Sequence, residues 1–357
     1  MTAESTTLPG GRPGAPSAER PSQPADGAAA VETLTIAKAI NRALADELAA
    51  DPKTLLMGED IGSLGGVYRV TEGLKATYGA GRVVDSPLAE SGIIGTSIGL
   101  ALRGYRPVTE IQFDGFVFPG FNQITTQLAK LRARTRGTAT VPVTIRIPYG
   151  GGIGSIEHHS ESPEALFAHT PGLRIITPSN AQDAYWMTRQ GIQSQDPVII
   201  FEPKRRYWLK GQVDLAAEGH GGLGAFQAQV VREGTDVTIA AYGPLVPVAL
   251  AAANAAAEDG RSVEVVDLRS LSPIDFDTLQ ASLEKTGRMV VAHEAPTFGG
   301  LGGEIAARLT ERSFLHLEAP IIRVGGFHLP YPPSRVEEQY LPDLDRILDA
   351  VDRTFAY

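Results

Sequence analysis

The chain has 357 residues, which at roughly 150 per domain suits two domains and a core of useful size. A composition of 43% hydrophobic, 20% charged and 7% aromatic residues excludes collagen, coiled coil and wholesale disorder. With 41 acidic residues against 32 basic ones the formal charge is −9, so a nucleic-acid backbone is not an expected partner. The absence of cysteine excludes disulfides, zinc–thiolate and iron–sulfur sites and a thiol nucleophile.

Residues 1–31 form a tail with five prolines and four glycines that cannot bury enough surface to offset the entropy of ordering. It lacks the apolar centre of a secretory signal. Glu4, Glu19 and Asp26 against Arg12 and Arg20 do not suit a transit peptide. No apolar run reaches the ~18 residues of a membrane span. The expected setting is a cytoplasm, with no membrane partner.

A helical stripe of Ile36, Ile40, Leu44 and Leu48 follows in TIAKAINRALADELAAD, then a short buried strand in TLLMGED. VTEGLKATYG predicts a helix ended by Gly79, VVDSP a strand, and AESGIIGTSIGLALRG a central helix of small and aliphatic residues. PVTEIQF, VPVTIRIP, LRIITP and PVIIFEP read as strands, separated by helices such as FNQITTQLAKLRART and NAQDAYWMTRQGIQS. This alternation predicts an α/β fold of mostly parallel sheets covered by helices. The polar, Gly-rich stretch over 209–224 reads as a linker between a first α/β domain at 32–208 and a second at 225–357. DVTIAAYG, LVPVALAAANAAAEDG, SVEVVDL, DFDTLQASLEKTG and RMVVAHEA carry the same rhythm through the second.

Common nucleotide motifs fail. IPYGGGIGSIE and FGGLGGEIAARL do not complete G-x-G-x-x-G, no G-x-x-x-x-G-K-[ST] loop is present, and GTSIG over 95–99 falls inside the expected central helix rather than at a strand-to-helix elbow. Two segments carry chemistry instead. In VVDSPLAESGIIG, Glu90 opens a helix just after a strand. It reads either as a first-turn carboxylate stabilised by the helix dipole, or as a ligand carboxylate at the carboxyl end of a parallel strand. In GGGIGSIEHHSESPEALFAH, His158 and His159 sit in a Gly-rich loop beside Glu157 and Glu161. That reads as an exposed hydrogen-bonded loop or as a histidine placed for proton transfer, and the spacing does not suit a metal site.

LLMGEDIG, GGVYRVTEGL, DSPLAESGIIGTSIGLALRGYRPVTEIQF, FPGFNQI, HHSESPEALFAHTPGL and PSNAQDA together resemble the beta subunit of thiamine-diphosphate-dependent 2-oxo acid dehydrogenases. The resemblance runs from about residue 32 to the end, and implies a transketolase-like pyrimidine-binding domain plus a transketolase C-terminal-like domain. Glu90 matches the glutamate that contacts N1′ of the cofactor's aminopyrimidine and favours the tautomer that makes the ylid. Leu88, Gln112 and Phe116 match positions lining the pyrimidine pocket, and His159 matches the histidine that assists reductive acylation of the lipoyl group. Val143, Thr144, Gly191, Ser194 and Asp196 match a region that holds potassium through backbone carbonyls.

The Gly-Asp-Gly…Asn motif that holds diphosphate and Mg2+ in thiamine enzymes is absent; FDGFVFPGFN lacks the first glycine and the spacing. The resemblance therefore implies that an alpha subunit supplies Mg2+ and the diphosphate half of the site, in an α2β2 heterotetramer (two alpha and two beta subunits). Further implied partners are a 2-oxo acid and the lipoyl domain of a dihydrolipoyl acyltransferase. PLAESGIIG and FEPKRRYW resemble branched-chain members more than pyruvate or acetoin members. A non-catalytic scaffolding subunit is the alternative from another class. Near the C-terminus, GGFHLPYPPSRVEEQYLPD departs from the family's usual Tyr-Asp with Phe327-His328.

Overall fold

A computed structural model describes residues 31–216 and 222–357. The tail over 1–30 and part of the expected linker lie outside the described residues. Chain order begins with Val31–Thr35 (β1), Ile36–Ala50 (α1), Thr54–Gly58 (β2), Leu74–Tyr78 (α2), Val83–Asp85 (β3), Glu90–Leu102 (α3) and Arg106–Glu110 (β4). Ala129–Arg134 (α4), Thr144–Tyr149 (β5), Glu164–Ala168 (α5), Arg174–Ile176 (β6), Ala181–Gln193 (α6), Val198–Pro203 (β7) and Lys210–Asp214 (β8) follow. The rest comprises Gln229–Arg232 (β9), Val237–Ala241 (β10), Val246–Glu258 (α7), Val263–Asp267 (β11), Ser270–Ser272 (β12) and Phe276–Thr286 (α8). Met289–Pro296 (β13), Leu301–Ser313 (α9), Ile322–Gly326 (β14), Glu337–Tyr340 (α10) and Leu344–Thr354 (α11) complete it.

The first sheet has the order β12-β6-β7-β5-β4-β2-β3 and is parallel except at β12. The second has the order β14-β13-β10-β11-β9 and is parallel except at β9. Strands of the first sheet are buried on both faces, as an apolar run without alternation requires. In α1, Thr35 accepts the Lys38 N–H at 3.2 Å as N-cap, and Ile36, Ile40, Leu44 and Leu48 are all buried. One core cluster runs across both sheets, joining Ile145, Phe201 and Phe167 to Tyr242, Val266, Leu279 and Met289.

Three local expectations change. The linker expected from residue 209 opens with β8, which pairs antiparallel with β1, whose first residue, Val31, was expected in the tail. Each strand covers the other's open edge. The helix expected over VTEGLKATYG shrinks to Leu74–Tyr78, because Asn41 Nδ2 donates to Val70 O at 2.7 Å and to Glu72 O at 3.1 Å. FNQITTQLAKLRART winds as a π-turn over Gln123–Leu128 before α4, with the Thr125 and Thr126 hydroxyls donating back to Phe121 O and Asn122 O.

A charged network crosses the centre of the first sheet. Arg146 on β5 donates from Nη1 to Glu110 on β4 at 2.6 Å, and from Nε and Nη2 to Glu202 on β7 at 2.7 and 2.9 Å. All three side chains are buried, and the Tyr207 hydroxyl donates to Glu202 at 2.6 Å. Truncating one member of such a network strands charge in a medium of low dielectric. Arg146→Met is expected to lower the free energy of unfolding by about 3–5 kcal/mol in denaturant titration. A loss under about 1 kcal/mol would contradict this account.

Candidate active site

The chain passes from β2 to β3 on one side, then returns to β4 on the other side of β2. Strand order therefore reverses between β2 and β4. Open α/β sheets place ligands in the crevice outside the carboxyl ends of the strands at such a reversal. Glu59 follows β2 directly, Gln112 follows β4, and Glu90 begins α3. Gln112 Nε2 donates to Glu59 O at 3.5 Å, bridging the crevice.

Glu90 is 7% exposed, in the first turn of α3, and its side chain has no partner among the described residues. The helix dipole and free N–H groups of that turn stabilise a carboxylate there without neutralising it. Glu59, also 7% exposed, has a buried Oε1 with no partner. Burial first, then the charges of Glu90 and Asp60, push the Glu59 carboxyl above the usual range, while the Ala89 N–H opposes the shift. The sequence reading missed Glu59, although LLMGED places it directly after a buried strand.

His159 lies in an aromatic set. Its ring packs edge-on against Phe113 and Phe116, with centroids 4.3 and 5.1 Å away, and its Nδ1 is buried without a partner. Burial, then the charge of Lys204, then His158, hold its pKa below the usual imidazole value. His158 points outward and pairs with Glu157 at 3.4 Å. Leu88 is 80% exposed on the turn before α3, so this chain alone does not enclose it.

The Asp-Gly of FDGFVFPGFN has a structural role. Asp114 Oδ1 pairs with Lys204 Nζ, both groups fully buried, while Oδ2 accepts the Glu161 N–H at 2.8 Å. The Lys204 ammonium lies 5.5 Å from the centroid of the Phe113 ring. This pair supports the histidine loop from beneath. Lys204 lay in FEPKRRYW, where nothing local marked it as buried.

The five expected potassium residues lie together, and their carbonyls each accept a hydrogen bond while keeping a second lone pair. Thr144 Oγ1 donates to Gly191 O at 3.3 Å, Ser194 Oγ to Asp196 O at 3.1 Å and Val198 N to Val143 O at 3.0 Å. Arg106 Nη1 donates to Ile192 O and Ser194 O, each at 3.1 Å, while Arg132 and Arg174 hold the Asp196 carboxylate. A guanidinium thus already supplies positive charge at this turn.

For thiamine diphosphate the residues present fit. A buried, unpartnered carboxylate, a second carboxylate with an orphaned oxygen and an aromatic edge suit one end of a planar heterocycle. No cluster of three or more acidic or histidine side chains able to hold a metal exists among the described residues.

The transketolase pyrimidine-binding domain family matches residues 32–208, and the transketolase C-terminal domain family matches residues 227–347. The chain belongs to the transketolase-like family of beta subunits of 2-oxo acid dehydrogenases. It is 59% identical over 327 residues to a pyruvate dehydrogenase E1 component subunit beta of Leifsonia xyli, covering 92% of this chain and 96% of that one. It is 51% identical over 346 residues to a 3-methyl-2-oxobutanoate dehydrogenase subunit beta of Mycobacterium tuberculosis, covering 94% and 97%. Among solved structures, a split-gene transketolase described as an inactive beta4 tetramer shares the fold. The TM-score is 0.75 at 23% identity, over 90% of this chain and 98% of that one.

Because the charge of Glu90 raises the Glu59 carboxyl, Glu90→Gln is expected to return the Glu59 pKa toward its ordinary value. Carboxyl carbon NMR titration of Glu59 reads this directly. An unmoved Glu59 titration would place the two carboxylates too far apart to interact.

Proposed function

We propose that this chain is the beta half of a branched-chain 2-oxo acid dehydrogenase, in which Glu90 and His159 act on opposite ends of the reaction. The carrying observation is Glu90: a buried acid whose side chain has no partner among the described residues, at the sheet's point of reversal. When bound, thiamine diphosphate supplies a nucleophilic carbon and an electron sink for decarboxylation of a 2-oxo acid. Glu90 would hold the hydrogen bond at N1′ of the aminopyrimidine, with Glu59, whose carboxyl is raised by burial and by Glu90, beside it at that end of the crevice. Phe116, Gln112 and Leu88 would line the pyrimidine pocket, Leu88 from a surface that an alpha subunit covers.

His159 moves a proton at the lipoyl sulfur as the acyl group transfers. Its lowered pKa leaves the imidazole neutral near pH 7 and makes its protonated form a stronger acid. An alpha subunit supplies Mg2+ and the diphosphate half in a heterotetramer, and the lipoyl domain of a dihydrolipoyl acyltransferase takes the acyl group. The setting is a bacterial cytoplasm; no helix among the described residues is long and apolar enough to cross a membrane.

The substrate reading is 3-methyl-2-oxobutanoate, supported by the 51%-identical relative of that name and by PLAESGIIG and FEPKRRYW. A second reading, pyruvate, is favoured by the name of the 59%-identical relative. Competition between the two acids in the assembled enzyme separates them: a higher kcat/KM for pyruvate would reverse the order. Glu90→Ala is expected to assemble normally with the alpha subunit and to lose at least about 100-fold in decarboxylation. Unchanged turnover would instead make this chain a scaffold.

A further inference from the structure

The stretch GGGIG before the two histidines matches no nucleotide motif, yet its backbone is densely used. Gly151 N–H donates to Glu294 Oε1 at 2.5 Å, Gly152 N–H to Glu337 Oε1 at 2.8 Å, and Gly154 N–H to Glu337 Oε2 at 3.0 Å. Gly152 N–H also reaches the Tyr331 hydroxyl at 3.3 Å, and that hydroxyl donates to Glu337 Oε1 at 2.6 Å. Both carboxylates are buried, at 3% and 6% exposure, and both come from the second half of the chain: Glu294 from β13 and Glu337 from α10. Arg205 lies 3.4 Å from Glu294 Oε2.

Glycine is required here for two reasons. Gly150 has φ +84°, and a Cβ at Gly150 would lie 2.7 Å from Glu294 Oε1. A Cβ at Gly151 would overlap the Tyr331 hydroxyl. The chain thus trades side chains for amides that point at two carboxylates, and hydrogen bonds to ionised acceptors are roughly twice as strong as neutral ones. The same loop closes on itself through Gly150 N–H to Glu161 O at 2.9 Å, and Glu161 N–H in turn meets Asp114. His159 therefore lies on a loop gripped at both ends: from the first half by Asp114, from the second by Glu294 and Glu337.

We propose that Glu337, with Tyr331, is a positioning residue for acyl transfer: it holds the Gly-rich strip so that the His159 loop keeps its working geometry. This rests on the reading of His159 as the group that serves the lipoyl sulfur. The C-terminal segment around Phe327-His328 then has a part in the reaction without touching a reactant. Tyr331 and Tyr340 pack at 5.1 Å between centroids and anchor α10 on that segment. Glu337→Gln removes the charge and replaces one acceptor oxygen with an NH2 group, which faces a glycine N–H it cannot accept.

The test uses the chain assembled with its alpha subunit, thiamine diphosphate and Mg2+. Glu337→Gln, Glu337→Asp, Tyr331→Phe and His159→Ala are compared in two assays: decarboxylation with an artificial electron acceptor, and acylation of a purified lipoyl domain. Glu337→Gln is expected to keep decarboxylation within about twofold and to lose about tenfold or more in kcat for lipoyl acylation, with KM for the domain little changed. Hydrogen exchange at amides 151–158 should accelerate by a similar factor.

Tyr331→Phe, which removes a single donor to Glu337, should show the same split at smaller size and carries the test if Glu337→Gln does not assemble. Glu337→Asp, which keeps the charge, should recover part of the loss. Equal losses in both assays, or unchanged acylation in Glu337→Gln while His159→Ala abolishes it, would overturn the positioning role alone. Full acylation by His159→Ala would overturn the reading of His159 and this inference with it.

Discussion

The arrangement depends on keeping charge buried where the strand order turns. Between β2 and β4 the sheet leaves a crevice, and the chain lines it with Glu59 and Glu90, two carboxylates that water would otherwise hydrate separately. Their proximity is unfavourable for the isolated chain: Glu59 is pushed toward protonation and one of its oxygens is buried without a partner. Such tension is relieved by a ligand offering a donor to one carboxylate and accepting a proton from the other. An aminopyrimidine has that character.

The rest of the fold resists this tension. Arg146 ties β4, β5 and β7 through two buried carboxylates, so the strand ends that border the crevice keep their positions. Asp114 and Lys204 extend the buried polar structure beneath His159. At the join between the two sheets, Tyr242 of the second donates to Glu164 of the first at 2.6 Å, and burial pushes the Glu164 carboxyl up to about 8. That side chain is largely protonated at neutral pH, which spares the shared core a further negative charge beside the paired Asp114 and Glu294. These features make the two halves one mechanical body in which the second supports a loop belonging to the first.

Much of this was legible in the sequence because it rests on local pattern. The apolar stripe of Ile36, Ile40, Leu44 and Leu48, and the uninterrupted strand TIRIPY, follow from periodicity and composition. Glu90 and the histidine loop were found because helix-opening acids and Gly-flanked histidines are visible one segment at a time. Glu59, Lys204 and Glu337 were not: Glu59 follows a buried strand that does not by itself mark the acid as buried, and the groups that bury Lys204 and Glu337 lie mostly on distant segments. The pairing of β1 with β8 was hidden for the same reason, as its two strands are nearly 180 residues apart, the register matching Val31 to Asp214. The Gly-rich stretch was visible, but its purpose was not, because that purpose is two carboxylates about 140 and 185 residues away.

The central claim is that this chain holds half of a cofactor site. Its most direct test is thiamine-diphosphate- and Mg2+-dependent decarboxylation of 3-methyl-2-oxobutanoate, measured on the purified chain alone and on the chain co-expressed with an alpha subunit. The account predicts turnover only in the co-expressed sample. Full activity from this chain by itself would contradict it.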